Sequence, residues 1–184
     1  MDLSEDALQS SELREVLVAK EQITDLVTML HEAYAGPAWH GPCLRGSLRG
    51  VSHELAAWRP EPGRHNIWEI AVHAAYWKYA VRRRLLGEKR GSFGEKGSNW
   101  FERPAPGTMI AEEVAAKAWR RDLNLLARSH QDLLEAVRRL DDSGLDRHAA
   151  GSRQTPRRMI AGIAMHDVYH AGQIQLLKRL APDT

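Results

Sequence analysis

The sequence predicts an all-α fold, a four-helix bundle with crossover connections. Four segments repeat apolar residues at intervals of three and four, the spacing of one helix face. Capping and stop residues flank those segments, and neither sustained period-two alternation nor an Asn-Gly hairpin turn is found along the 184 residues. Two connections are longer than the roughly two to eight residues that join neighbours in a simple up-down bundle, which favours a crossover topology.

The first helix is predicted over residues 12–35, and Gly36-Pro37 ends it. Its apolar positions are Leu13, Val16, Leu17, Ile23, Val27 and Leu30. Prolines and glycines are dense in residues 37–64, so this segment is interpreted as an ordered connection. Within it, residues Leu44 to Leu48 could form a short turn of helix.

The second helix is predicted to begin after Asn66, because Asn66 and Glu69 have the spacing of a capping box. Good helix formers continue through Leu86, and Gly87 ends the helix. Residues 91–107 contain four glycines and two prolines, so they are predicted to form a loop.

The third helix is predicted from Ile110 to Leu140, and residues 141–144 end it. Its apolar positions are Val114, Ala118, Leu125, Leu133, Leu134 and Val137. The fourth helix is predicted to begin at Thr155-Pro156, with threonine as N-cap and proline at the first helical position. It runs to about Leu180, and a proline follows it.

The composition indicates one globular domain, predicted to span residues 1–184. Apolar residues make up 43% and charged residues 27%, and no segment reaches the roughly 20 apolar residues of a membrane span. The acidic N-terminus lacks the features of a secretory signal, so no membrane association and a cytoplasmic localisation are expected. The net charge of +2 argues against nucleic-acid binding. Cys43 is the only cysteine, which excludes an internal disulfide and a cysteine-based zinc site.

Histidines occupy core-facing positions on two of the predicted helices. In the fourth helix one seam has alternating steps of four and three, and its members are Met159, Ile163, His166, His170, Gln173, Leu177 and Leu180. In the second helix a matching stripe consists of Ile70, His73, Trp77 and Ala80. Three imidazoles among apolar neighbours favour a specific role over simple packing.

That role is predicted to be metal binding by His73, His166 and His170. Histidines four residues apart lie on one helix face, so both can reach an ion at about 2.0–2.1 Å, and a neighbouring helix supplies the third nitrogen. Three neutral imidazoles suit zinc, nickel, copper, cobalt or iron(II) better than magnesium or calcium, and they leave coordination positions open.

A His-x-x-x-His pair alone is more often two ordinary hydrogen-bonded histidines, so the prediction depends on the third inward histidine. Two related motifs are excluded by residue type. Asp167 follows His166 where the zincin motif has glutamate, and no Glu-x-x-His pair of a di-iron bundle is present.

Around the histidines the chain resembles the DinB-like superfamily. Residues 162–174 are similar to its C-terminal signature, and residues 67–73 with Tyr76-Trp77 are similar to its helix-2 signature. The resemblance implies a crossover four-helix bundle, often a homodimer, whose three histidines bind a divalent ion. Nickel or zinc is expected, with iron, cobalt and manganese as the other candidates.

Characterised members of that superfamily include transferases and isomerases that use low-molecular-weight thiols. The resemblance therefore implies a metal-dependent S-transferase acting on a small-molecule substrate, with such a thiol as cosubstrate. A metal-dependent hydrolase and a non-catalytic metal-binding protein remain alternatives, because no catalytic acid or base is identifiable from the sequence.

Several other residues have two interpretations. Asp167 and Gln173 could orient the metal-binding histidines, although a salt bridge from Asp167 to an arginine of another helix explains it equally well. Trp68 and Trp77 are predicted to fill the core, and Trp77 could also wall a pocket. A larger group is interpreted as structural or surface residues: Cys43 as a buried thiol, Arg82, Arg83, Arg84, Lys89 and Arg90 as a solvated basic face, and His31, His40, His53, His65, His130 and His148 as surface or hydrogen-bonding residues.

Overall fold

Helices account for the regular structure of the protein, which was analysed as a computed structural model describing residues 21–89, 91, 93–95, 97, 99–104, 111–148 and 153–182. In chain order they are α1 (described over residues 21–34), α2 (Leu44–Ser47), α3 (His53–Ala57), α4 (Ile67–Leu85), α5 (Glu112–Arg138) and α6 (Pro156–Leu180). No β-strand occurs in the described ranges. The predicted all-α bundle of four long helices is confirmed.

Local capping explains where the two site-bearing helices begin. The side chain of Asn66 accepts the backbone N–H of Glu69 at 2.8 Å, and that of Thr155 accepts the backbone N–H of Arg158 at 3.3 Å. Pro156 occupies the first turn of α6, where its missing N–H costs nothing. The predicted limits of α4 and α6 are therefore confirmed to within a residue or so.

The capping box predicted at α4 is only half formed. The Glu69 carboxylate accepts hydrogen bonds from Arg59 and the backbone N–H of Arg103 and pairs with His65, instead of turning back to the Asn66 backbone. These partners come from residues before and after the helix. Glu69 thus links both connections to the first turn of α4.

The connections contain more structure than the sequence indicates. The predicted turn at Leu44 is present as α2, whereas α3 and a 3₁₀ turn at Asp142–Gly144 were not predicted. Ser52 caps α3 by accepting the Leu55 N–H at 3.3 Å. Residues 12–20 of the predicted first helix, and Ile110 of the third, lie outside the described residues.

The apolar core has two parts that meet along α4 and α6. In one, α1 packs through Leu30 against Leu133 of α5 and Ile160 of α6. In the other, α4 residues such as Trp68 pack with Ile174 of α6 and with α2. By register, the three predicted metal ligands lie between these two parts on α4 and α6, which pack directly against each other.

The predicted seams are correct for most positions and wrong for two. Val114, near the start of α5, and Leu180, at the last residue of α6, are each more than half exposed. Both lie at helix ends, where α5 and α6 extend past the packed core. Among the described helices, none has both the length and the apolar character needed to cross a membrane.

A candidate metal centre between two helices

Three imidazoles converge at the contact between α4 and α6. His73 comes from α4, and His166 and His170 come from successive turns of α6. The Nε2 atom of His166 lies 3.1 Å from Nε2 of His73 and 3.0 Å from Nε2 of His170. The structure therefore brings together all three histidines that the sequence singles out, and each can offer one nitrogen to a shared metal ion.

Hydrogen bonds on the far side of two rings determine which nitrogens face the centre. Nδ1 of His73 lies 2.6 Å from the backbone oxygen of Asn99, and Nδ1 of His170 lies 2.6 Å from Oε1 of Gln173. Both oxygens are acceptors, so each Nδ1 carries the proton and donates it. The two Nε2 atoms are then left with lone pairs directed at the centre, which is the usual tautomer of a metal-bound histidine.

All three rings are neutral near pH 7 in this environment. Burial lowers the pKa of His166 to about 3, with a further contribution from His170, and burial lowers the pKa of His170 to about 4. Burial also lowers the pKa of His73. A proton on His166 Nε2 could bridge to only one of its two neighbours, so at least one lone pair still faces another nitrogen. A cation at the centre would remove that repulsion.

The spacing of the nitrogens also fits a transition metal. Ligand nitrogens at about 2.0–2.1 Å from an ion, in adjacent tetrahedral or octahedral positions, lie about 2.9–3.4 Å apart. The two measured separations of 3.0 and 3.1 Å fall in this range. The donor set of three neutral imidazoles suits such an ion and leaves coordination positions open.

Trp100 closes one side of the centre. Its ring stacks on His73, with a centroid distance of 3.9 Å and an interplanar angle of 11°. The other face of the indole stacks on His65, at 3.6 Å and 8°. A planar apolar group thus shields one ligand from water and restricts its rotation, and it is itself held by a second histidine.

Asn99 positions two residues of α4 at once. Its backbone oxygen accepts from His73, and its side-chain oxygen accepts from Nε1 of Trp77 at 2.8 Å. Asn99 has a φ of 70°, in the left-handed region that asparagine tolerates better than most residues. Sequence reasoning missed both Asn99 and Trp100, which lie in the segment interpreted only as a loop.

From the sequence, Gln173 and Asp167 could orient the metal-binding histidines, and only Gln173 contacts one of these histidines. Besides accepting from His170, Gln173 donates through Nε2 to the Tyr169 hydroxyl at 3.1 Å. Asp167 instead pairs with Lys78 in the interior. The salt-bridge interpretation of Asp167 is therefore correct, but its partner is a lysine and not an arginine.

A cleft of about 580 Å³ opens beside His170. One wall is formed by α6, with Tyr169, Gln173, Leu176, Leu177 and Leu180. Facing it are Ile70 and Trp100, together with Arg64 and His65 from the connection between α3 and α4. The cleft is thus mainly apolar, has a few polar groups in its lining, and reaches one of the three converging histidines.

The two predicted core tryptophans differ in environment. Trp68 is buried, and its Nε1 donates to Asp122 at 2.8 Å. Trp77 is partly exposed, makes edge contacts with His73 and His166, and lines a second cavity of about 460 Å³ on the other side of Asn99. Trp68 is a core residue as predicted, and Trp77 also walls a pocket.

The remaining assignments are mostly confirmed. Cys43 is a buried thiol that caps α2. Arg82 pairs with Glu88 beyond the end of α4, on a solvated surface, whereas Arg90 lies outside the described residues. His130 is a correction: it is buried, stacks on Tyr34 at 3.9 Å, and neither ring nitrogen has a hydrogen-bond partner among the described residues.

The fold and the site define an all-α bundle with a buried histidine cluster that could hold a metal ion. The sequence model of the DinB superfamily matches residues 43–174, a range that contains all three histidines. The chain belongs to this superfamily. No curated protein matches the chain.

Proposed function

We propose that His73, His166 and His170 bind a divalent transition metal ion, with nickel and zinc as the first candidates. The observation that carries this proposal is that Nε2 of His166 lies 3.0–3.1 Å from Nε2 of His73 and of His170, two rings whose protons are held on their far sides. Oxygen-preferring ions such as magnesium are disfavoured by an all-imidazole set. Three protein ligands are typical of a catalytic site, since structural zinc sites usually use four.

We further propose that the protein is a metal-dependent enzyme that acts on small molecules, of the thiol-dependent S-transferase type. When bound, the ion would supply a Lewis acid that favours the deprotonated form of a thiol or water. The chain's own residues would hold the reactants: the side chains of α6 give the cleft an apolar wall, and His170 borders both the cleft and the proposed metal position. The resemblance to thiol-using relatives supports a thiol as the nucleophile.

Metal analysis tests the site. The purified protein and its His73→Ala and His166→Ala variants would be loaded with nickel or zinc, dialysed, and analysed for bound metal. About one ion per chain is expected in the parent and a large loss in each variant. His53→Ala is the matched control, because His53 pairs with Glu54 and is not one of the three converging histidines. Unchanged metal content in both site variants would disprove the proposal.

A nucleophile panel tests the reaction. The metal-loaded protein would be incubated with 1-chloro-2,4-dinitrobenzene and glutathione, mycothiol or bacillithiol, and separately with p-nitrophenyl acetate in the absence of thiol. Thiol consumption that requires His166 supports the transferase. Turnover only without thiol would indicate the hydrolase instead, and no turnover in any arm would indicate a non-catalytic metal-binding protein.

The expected homodimer is also a proposal. Four large apolar side chains of α6 are more than half exposed: Met165, Tyr169, Leu176 and Leu180. Such a stripe on one helix is suited to packing against a second copy of the chain, which would then border the cleft that three of these side chains also line. Sedimentation equilibrium would measure the mass, and a monomer at micromolar concentration would contradict this proposal.

A further inference from the structure

His65 lies outside the three-histidine cluster, yet it lines the same cleft as His170. Its Nδ1 is 2.9 Å from Oε2 of Glu69, one turn into α4. A carboxylate only accepts, so Nδ1 carries the proton and Nε2 has a free lone pair. The His65 side chain is 45% exposed, whereas that of Glu69 is 5% exposed. A half-exposed imidazole is thus oriented by a buried carboxylate, as in the histidine–carboxylate pairs of catalytic sites.

Glu69 is held firmly enough to orient the ring. Both terminal nitrogens of Arg59 donate to its carboxylate, one of them at 2.9 Å, and the backbone N–H of Arg103 donates at 3.2 Å. Burial raises the pKa of Glu69, but the hydrogen bonds from Arg59 and His65 outweigh this effect. The pKa of Glu69 is therefore below its ordinary value. Glu69 is therefore ionised and can stabilise a positive charge on His65.

The position of His65 relative to the metal-facing histidines follows from the stacking of three rings. Trp100 lies between His65 and His73, at centroid distances of 3.6 and 3.9 Å. Because both distances are measured to the Trp100 ring, the centroids of His65 and His73 cannot be farther apart than the sum of the two. That gap is the thickness of one indole, so a nucleophile at the rim of Trp100 can be close to the centre and to His65.

We propose that His65 is the general base of the protein, oriented by Glu69, and that its Nε2 takes the proton from the nucleophile that enters the cleft. This inference rests on the proposed enzymatic function. The S–H bond of a thiol or the O–H bond of water breaks, an N–H bond forms at Nε2, and the electron pair stays on sulfur or oxygen to attack the electrophile. The proton then passes from His65 to the leaving group or to solvent.

A packing role is the competing explanation, because His65 also supports Trp100. His65→Phe separates the two roles, since phenylalanine retains a flat ring for stacking but has no nitrogen. His65→Gln is a second variant in case the larger ring disturbs the cleft. His53→Gln is the matched control: His53 also pairs with a glutamate, at 2.9 Å, but does not line this cleft.

The experiment uses the full metal-loaded chain and the same nucleophile panel. Removal of a general base typically lowers the rate by about 10²–10⁴-fold. We expect kcat to fall about 100-fold or more in His65→Phe and His65→Gln, with KM and metal content within about threefold of the parent and His53→Gln unchanged. Loss of activity with the glutathione arm identifies the thiol as the source of the proton, and loss with the ester arm identifies water.

A pH–rate profile adds a readout that a packing role would not change. In the parent, the pH dependence of kcat/KM should contain a limb that requires the base, and this limb should be absent in His65→Phe. The charged or titratable groups around His65 are Glu69, Arg59, Glu61, Arg64, Glu102, His170 and, across Trp100, His73. Glu69→Gln should weaken and shift the same limb, because the neutral amide cannot stabilise the protonated ring.

Nitrogen NMR of the histidine side chains gives a readout independent of turnover. The spectrum should show His65 with its proton on Nδ1 and an unprotonated Nε2. A proton on Nε2, or an active His65→Phe variant within about threefold of the parent, overturns the assignment while leaving the metal-dependent function intact. A parent protein that turns over no probe overturns the proposed function and the role of His65 together.

Discussion

Lys78 of α4 and Asp167 of α6 form an ion pair from which solvent is completely excluded. Asp167 directly follows His166, and Lys78 lies just over one turn from His73, so the pair joins the two helices next to the histidine cluster. Burial lowers the pKa of Lys78 and raises the pKa of Asp167, and the attraction between them opposes both shifts. Each buried charge is therefore stabilised by its partner.

Removing one charge of this pair is expected to be costly. Lys78→Met leaves a buried carboxylate without its partner, which typically destabilises a protein by about 3–5 kcal/mol. The double variant Lys78→Met/Asp167→Leu should recover most of the loss, because it leaves no buried charge. Urea unfolding of the four species measures the coupling. Glu135→Gln is the control, since its pair with Arg139 is exposed and should contribute less than about 1 kcal/mol.

Gln173 is expected to tune metal affinity without contacting the ion. Gln173→Leu removes the acceptor for Nδ1 of His170, which frees the ring to rotate or change tautomer. Such outer contacts typically account for about 10–100-fold in metal affinity. Competition with a chromogenic chelator gives the affinity, and Gln175→Leu on the same helix is the control. Equal affinity in both variants would show that Gln173 does not orient the site.

The parts of the structure that follow local rules could be predicted from the sequence. The limits of α4 and α6 depend on Asn66, Thr155 and Pro156, whose effects act within one turn. The helical period then places His166 and His170 on one face. These features depend only on nearby residues. Together with His73 on the inward face of another helix, they made the histidine cluster predictable from the sequence.

The missed residues depend on contacts between distant parts of the chain. Lys78 has the sequence context of an exposed residue before a basic tail, and its burial is explained only by Asp167, 89 residues away. Asn99 and Trp100 lie in a glycine-rich segment that has no period to indicate a face. Although the sequence places His65 and Glu69 one turn apart, only the cleft shows that this pair borders the centre.

His130 is expected to make the protein sensitive to acid. Burial lowers its pKa to about 2, with smaller contributions from Lys78 and other cations, against about 6.5 in the unfolded chain. Above pH 6.5 neither state is protonated at this residue. Below it, only the unfolded state binds the proton, so stability decreases as the pH falls, by up to about 1.4 kcal/mol per pH unit.

His130→Phe tests this dependence. Phenylalanine can still stack on Tyr34 and removes two ring nitrogens that have no partner among the described residues. Urea unfolding of the metal-free protein between pH 6.5 and 4 should show a slope smaller than that of the parent by about one proton. The exposed His40→Gln variant should keep the parental slope. If His130→Phe also keeps it, the buried ring is not the source of the acid sensitivity.

Arg103 is expected to support the metal centre from a distance. It follows Asn99 and Trp100 by a few residues, and its Nε donates to the buried carboxylate of Asp122 on α5 at 2.8 Å. Its backbone oxygen accepts from Asn66 at 2.7 Å. The segment that shields and orients His73 is therefore fixed to two helices through one residue.

Arg103→Met should loosen that segment and weaken the metal site. We expect metal affinity to fall about tenfold, in the lower part of the range for outer contacts, and Asn99 and Trp100 to lose amide protection in hydrogen exchange. Arg121→Met is a matched control, because Arg121 pairs with the same Asp122 at 3.0 Å but its side chain is 60% exposed. Chelator competition gives the metal affinity of both variants. An equal decrease in affinity would indicate that the effect arises from the loss of any ion pair to Asp122, and not from the anchoring of the Asn99 segment by Arg103.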